Sequence, residues 1–143
     1  MKVLVADDDP VCRGLLQSLM VPWGFEVVLA ADGEQALQVL RGADPPRLVI
    51  LDWMMPKVDG FEVCKAVRAS GGGGNDTYIL LVTGSRNKED IMKVVVAGAD
   101  DYLTKPFEPL DLKIRLRMAM RVMHLQDELK SRPPTPRAVA RAS

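Results

Sequence analysis

Three consecutive aspartates, Asp7, Asp8 and Asp9, follow the apolar run Val3 to Ala6, and a fourth, Asp52, follows the run Leu48 to Leu51. Thr83 closes a third run, Tyr78 to Val82, and Lys105 comes just after Tyr102-Leu103. If these apolar runs are neighbouring strands, the polar groups that end them converge on one edge. Asp7, Asp8 and Asp52 would then repel by roughly 1–4 kcal/mol for each close pair, at effective dielectrics of 80 to 20. Such a cluster needs a cation. All-oxygen donors, few protein ligands and room for water suit Mg²⁺ better than a closed calcium cage. A bound Mg²⁺ would neutralise the cluster and draw in a phosphoryl group. Lys105 would offer a positive charge, and Thr83 a hydroxyl donor, to the equatorial oxygens of that group. A carboxylate facing metal and lysine can attack phosphorus and hold the group as an acyl phosphate.

Other residues of the same types have plainer readings. Asp9 precedes Pro10 and is a helix cap. Asp100 and Asp101 read as loop carboxylates ahead of a last strand. Tyr102 reads, on sequence physics alone, as a sheet aromatic with its hydroxyl at the surface. Met54 and Met55 read as apolar packing. The Lys105-Pro106 bond is open to either isomer. Cys12 and Cys64 are far apart and His124 is the only histidine, which speaks against a zinc site or a histidine-activated nucleophile.

The elements that must position these residues follow from periodicity. A short apolar run, a turn and a stretch with helical spacing recur five times, with the runs at Val3 to Ala6, Phe25 to Ala30, Leu48 to Leu51, Tyr78 to Val82 and Tyr102-Leu103. Runs this continuous suit strands buried on both faces. Between them, Val11, Leu15 and Leu19 share one helical face, as do Ile91, Val94, Val95 and Gly98. Helices over Glu34 to Arg41 and Phe61 to Ala69 end at Pro45-Pro46 and Gly71 to Gly74. The glycine run follows a helix and lacks a following Gly-Lys-Ser/Thr, so it reads as a flexible connector and not a phosphate cradle. The repeat predicts an α/β fold, a doubly wound, flavodoxin-like five-stranded parallel sheet with helices on both faces. Ligands bind such sheets at the carboxyl ends of the strands.

The chain of 143 residues is 48% hydrophobic and 27% charged, with 19 basic and 19 acidic side chains. That describes one soluble globular domain that needs no disulfide or structural metal to fold. Balanced charge argues against a general nucleic-acid or anionic-membrane binder. The apolar runs are far shorter than the roughly 20 residues that span a bilayer. The N-terminus lacks the apolar stretch and cleavage site of a secretory signal, so the expected location is cytoplasmic.

Four stretches carry a resemblance: Val3-Leu4-Val5-Ala6-Asp7-Asp8-Asp9-Pro10, Leu51-Asp52-Trp53-Met54-Met55-Pro56 through Asp59-Gly60, Val82-Thr83-Gly84, and Ala97 through Phe107. With all motifs in order and at family spacing, residues 1–123 resemble the receiver domain of two-component response regulators. The resemblance implies that Asp52 accepts a phosphoryl group from a histidine kinase or phosphotransfer protein. It implies that Asp8, Asp52 and the Met54 carbonyl bind Mg²⁺, with Asp7 acting largely through water. Thr83 and Lys105 would contact the phosphoryl oxygens. Thr83 and Tyr102 would form the switch, which overturns the surface reading of Tyr102. The change would spread over the fourth helix, fifth strand and fifth helix, a surface also open to homodimer formation. That is a population shift driven by phosphoryl contacts made in one state. Gly84 stands where the family commonly has alanine, and Met54 is at a position that influences how long the phosphoryl group survives.

Residues 124–143 lie beyond the resemblance. The stripe Leu112, Leu116, Ala119, Val122, Leu125 and Leu129 predicts that the fifth helix runs on through Lys130, as a helix end with an apolar underside or as a dimerising or signalling helix. The Pro-, Arg- and Ala-rich remainder reads as a mobile tail or a linker. No output domain is visible, so the partner is a downstream effector or a missing C-terminal output domain. Two rival functions fit the residues less well. A phosphohydrolase resembling the haloacid-dehalogenase group would use Asp7 as nucleophile and Asp9 as acid/base, but Asp100-Asp101 precedes Lys105 and no cap domain fits. A scaffold that binds partners without phosphorylation is disfavoured by the intact set Asp7, Asp8, Asp52, Thr83 and Lys105.

Overall fold

The computed structural model describes residues 1–70, 76–85 and 87–131. Five strands alternate with five helices: β1 (Lys2–Ala6), α1 (Pro10–Met20), β2 (Glu26–Ala30), α2 (Gly33–Leu40), β3 (Leu48–Asp52), α3 (Gly60–Ala69), β4 (Tyr78–Thr83), α4 (Lys88–Ala97), β5 (Asp101–Thr104) and α5 (Pro109–Ser131). All pairings are parallel and the strand order is β2-β1-β3-β4-β5. The expected doubly wound sheet is therefore present. The order reverses between β1 and β3, so their carboxyl ends border the crevice where such sheets bind ligands.

Alternation along the strands divides the core in two. Val3, Val5, Leu48, Ile50, Leu80 and Val82 pack against Leu16 and Met20 of α1 and Leu112, Leu116, Ala119 and Met123 of α5. Leu4, Ala6, Val49, Leu51, Ile79 and Leu81 meet Ala36 of α2, Val63, Cys64 and Val67 of α3, and Val94 and Ala97 of α4. β1, β3 and β4 have buried residues on both faces, which is why they read as unbroken apolar runs. Polar side chains start the helices: Asp9 accepts from the Val11 N–H, Asp32 from Gln35, Asp59 from Glu62 and Asn87 from Glu89. Among the described residues no helix is long and apolar enough to cross a membrane.

Three local expectations change. Asp101 is not a loop carboxylate but the first residue of β5, where both its carboxylate oxygens accept from Arg115 Nη1, at 2.8 and 2.9 Å. The stripe of α5 also leaves its expected path after Ala119. Met123 is buried, whereas Leu125 and Leu129 are 48% and 66% exposed. At 100° per residue the core-facing line continues from Ala119 to Met123, and Leu125 and Leu129 swing to the opposite side. Third, of the two methionines read as packing, Met55 is buried but Met54 is 71% exposed. The Lys105–Pro106 peptide is cis. The connector at Gly71 to Gly74 and the tail beyond Ser131 lie outside the described residues.

The last turns of α5 are tied to the opposite end of the sheet from the site. Arg47, just before β3, donates to both Asp127 oxygens at 2.7 and 2.9 Å, to Gln126 at 3.1 Å and to the Met123 carbonyl at 3.3 Å. Its Nε also donates to the Asp76 carbonyl, and Lys130 pairs with the Asp76 carboxylate.

Candidate functional site

Ala6 pairs with Leu51 and Asp52 with Val82, so the residues that follow β1 and end β3 emerge side by side. Asp7 is buried directly after β1. Its backbone N–H donates to the Ala30 carbonyl at 3.1 Å and its own carbonyl accepts from Arg13 at 2.7 Å. One carboxylate oxygen accepts from the Asp9 N–H at 2.9 Å and the other from Lys105 Nζ at 3.1 Å. Asp8 is exposed beside it. Asp52 is buried at the end of β3, and Lys105 Nζ lies 3.5 Å from its Oδ1. Carboxylate oxygens of Asp7, Asp8 and Asp52 all fall within 4.8 Å of one another.

The loop after β3 is held tightly. Trp53 donates its N–H to the Val82 carbonyl and accepts from the Gly60 N–H, each at 2.9 Å. A Cβ on Gly60 would stand 2.5 Å from the Asp52 carbonyl oxygen, so only glycine lets α3 start this close to the acidic cluster. Met54 follows with its side chain in solvent.

Thr83 is buried at the end of β4. Its Oγ1 accepts from the Ser85 N–H at 3.0 Å, which leaves its own hydrogen free to donate. Its carbonyl accepts from the Lys105 N–H at 2.8 Å, fixing the backbone from which the lysine extends. Ser85 then donates to Asp90 in the first turn of α4 at 2.5 Å. Tyr102, on β5, is partly buried against the α2–α4 side of the core. Asp9 does cap α1, as its position before Pro10 required.

The electrostatics of the cluster are unequal. Burial, together with the nearby Asp7 charge, pushes Asp52 up to about 6, and Lys105 only partly offsets this. Burial also opposes ionisation of Asp7, but hydrogen bonds from the Cys12 thiol, the Asp9 N–H and Lys105 outweigh it and hold Asp7 below its ordinary value. Lys105 is raised because the two carboxylates outweigh its own desolvation. One lysine thus faces two buried carboxylates and an exposed third. The set is short of positive charge, and its hard oxygen donors fit a divalent cation such as Mg²⁺.

Two residues near the site were not picked out from sequence. Cys12 lies beside Asp7, and burial with that carboxylate pushes its thiol up to about 12. Arg13 braces the Asp7 backbone. The available signal was their place in the first turn of a helix capped by Asp9. An apolar cleft of about 400 Å³ adjoins the site, lined by Val11, Cys12, Leu15, Pro106 and Phe107, with Asp9 and Lys105 at its edge.

Comparison with known proteins agrees with this arrangement. A family model described as the response regulator receiver domain matches residues 3–117. The chain is 41% identical over 120 residues to the probable transcriptional regulator ycf27 of Cyanophora paradoxa, covering 84% of this chain and 48% of that protein. It thus spans about half the length of that curated relative. A putative response regulator from Chloroflexus aurantiacus J-10-fl superposes with a TM-score of 0.78 at 34% identity, covering 84% of this chain and 97% of that one. The receiver domain of the sensor histidine kinase PA1611 from Pseudomonas aeruginosa PAO1, solved with a magnesium ion coordinated in its active site cleft, gives 0.73 at 27% identity over 86% and 97% of the two chains. The sheet order, the acidic crevice and the family match lead to one conclusion: this chain belongs to the response regulator receiver domains, the signalling modules of two-component systems.

Proposed function

We propose that this domain is a phospho-switch in which Asp52 takes a phosphoryl group from a histidine kinase or phosphotransfer protein. The observation that carries the reading is the convergence of Asp7, Asp8 and Asp52 within 4.8 Å, with Lys105 3.5 Å from Asp52. An Asp52 carboxylate oxygen attacks phosphorus. An O–P bond forms as the bond to the donor breaks, and the donor leaves with its electron pair. Asp8, Asp52 and the Met54 carbonyl would hold Mg²⁺, with Asp7 acting through water. A bound ion would supply charge neutralisation at the phosphoryl oxygens. Lys105 compensates the same oxygens from the other side, and Thr83 donates its hydroxyl to one of them. The apolar cleft beside α1 gives the donor protein a surface next to Asp52.

Output follows from a choice between two states. Thr83 turning to a phosphoryl oxygen gives up the contact with Ser85, whose hydroxyl reaches α4. Tyr102 follows into the space behind Thr83, and the surface of α4, β5 and α5 changes with it. That surface then binds a downstream effector, an attached output domain or a second copy. The module catalyses only its own phosphorylation and dephosphorylation, and works in the cytoplasm. The test is intact mass after incubation with Mg²⁺ and acetyl phosphate. Gain of one phosphoryl group in wild type, absent in Asp52→Asn, is the expected result. No gain in wild type, with either acetyl phosphate or a histidine-phosphorylated donor, would leave a scaffold that works without phosphorylation.

A further inference from the structure

Asp8 is the least supported of the three carboxylates in the crevice. Asp7 accepts from the Asp9 N–H and from Lys105, and Asp52 is buried at the end of β3 with Lys105 3.5 Å away. Asp8 is exposed, and no hydrogen bond or ion pair reaches its side chain among the described residues. One of its oxygens nevertheless falls within 4.8 Å of those of the other two. With nothing to hold the side chain itself, the backbone on either side must set its direction.

That backbone is tied on both sides to one residue. Arg13 donates from Nη1 to the Asp7 carbonyl at 2.7 Å and from its own N–H to the Asp9 carbonyl at 2.9 Å. Asp8 sits in the loop between these two anchored carbonyls. The Asp7 carbonyl belongs to the peptide plane that leads into the Asp8 Cα, so a rotation of that plane turns the Asp8 side chain with it. No other hydrogen bond reaches that carbonyl among the described residues. Arg13 can hold it firmly because it stands in the first turns of α1, whose start is fixed by the Asp9 cap and Pro10.

Charge alone does not explain this placement. Arg13 follows three aspartates closely in the chain, yet it forms no ion pair among the described residues and gives its side-chain donor to a neutral carbonyl. A fixed cation beside a cation-binding cluster repels the ion, a cost that a positioning role offsets. Mg²⁺ makes the position of Asp8 critical, because it demands near-ideal octahedral oxygens at about 2.0–2.1 Å, whereas Ca²⁺ tolerates looser shells at about 2.3–2.6 Å. We propose that Arg13 is a positioning residue for the cation site, which aims Asp8 by bonding to the backbone on both of its sides. The inference rests on the reading of Asp8 and Asp52 as Mg²⁺ ligands.

The test is titration of the full chain with Mg²⁺ and with Ca²⁺ at constant ionic strength, followed by the amide NMR shifts of Asp8 and Trp53. Urea unfolding without metal checks that each variant is folded. Arg13→Met keeps an unbranched side chain but removes both the donor and the charge. It should weaken Mg²⁺ binding by roughly tenfold, the lower end of what losing a partner that orients a metal ligand costs, and weaken Ca²⁺ binding less. Arg13→Lys restores one donor to a bond that uses one nitrogen, so it should bind Mg²⁺ more tightly than Arg13→Met. Mg²⁺ binding by Arg13→Met as tight as in wild type, or tighter, overturns the inference, since removal of a repelling charge alone produces that result. Equal losses for the two ions overturn it as well, as does an Arg13→Lys no better than Arg13→Met. Failure of the underlying metal reading looks different: wild type then shows no saturable Mg²⁺ response, or one that Asp52→Asn leaves unchanged.

Discussion

The backbone of Gly60 lies so close to Asp52 that a methyl group on it would reach within 2.5 Å of the Asp52 carbonyl oxygen. The obstacle is main chain, which cannot rotate away as a side chain end can. Gly60→Ala should therefore destabilise the domain by about 1–3 kcal/mol and slow labelling of Asp52 by acetyl phosphate. Gly84 is the control, since a Cβ there meets nothing within 4 Å. Gly84→Ala should change stability by less than about 0.5 kcal/mol. Urea unfolding of both variants checks the pair.

Asp52 makes the metal-free domain less stable as pH rises. Its folded value of about 6 lies above the ordinary 3.8, so between the two the folded state binds more protons than the unfolded. Stability should thus fall from about pH 4 to about pH 6, by on the order of 2 kcal/mol. Mg²⁺ should recover most of that loss at pH 7.5 and little at pH 4. Urea unfolding at the two pH values, with and without the ion, reads this directly.

Asp52→Asn removes the same penalty by deleting the charge. It should abolish phosphoryl uptake and raise metal-free stability at pH 7.5 by about 1–3 kcal/mol, while the fold persists. Calorimetry with mass spectrometry on one preparation decides it. A variant that melts earlier than wild type would mean that Asp52 contributes favourable contacts larger than its electrostatic cost.

Lys105 serves both buried carboxylates, at 3.1 Å from Asp7 and 3.5 Å from Asp52. Lys105→Met should move the Asp52 titration above about 6 and raise that of Asp7 as well, because desolvation persists without the offsetting charge. Carboxyl-carbon NMR titration follows both groups. Phosphoryl uptake by this variant should be slower than in wild type even at saturating Mg²⁺.

Arg47 reaches across the bottom of the sheet to α5 with hydrogen bonds to Asp127, Gln126 and Met123. Its partners are partly exposed, which limits the effect. Arg47→Ala should cost about 1 kcal/mol and speed amide exchange in the last two turns of α5, leaving exchange near Asp52 unchanged. Hydrogen exchange with mass spectrometry separates the two regions.

Much of the fold was legible from local pattern. Val3 to Ala6, Leu48 to Leu51 and Tyr78 to Val82 are unbroken apolar runs because both faces of β1, β3 and β4 are covered. The cap at Asp9 acts on a residue two positions away, within reach of a local reading. The polar residues at the strand ends were legible too, since a repeating βα unit sends every strand in the same direction. Asp101 was misplaced because its ion pair with Arg115, 14 residues on, is invisible to a pattern of neighbours. Leu125 and Leu129 join Leu112 and Leu116 in one apolar stripe of the sequence, and only the packing of α5 on the sheet decides which of these leucines are covered.

What the sequence determined by itself was the order of elements, the direction of the strands and the identity of the groups at their ends. The distances and charges of the site belong to the tertiary structure. Lys105 and Asp7 are 98 residues apart and meet because β1 and β3 lie side by side, with β4 and β5 beyond β3. The opposite shifts of Asp7 and Asp52 come from differences in burial and donors that two aspartates at similar strand ends do not reveal. Periodicity acts over a turn or a pleat, whereas desolvation and Coulomb interaction depend on everything within several ångströms, whatever its position in the chain.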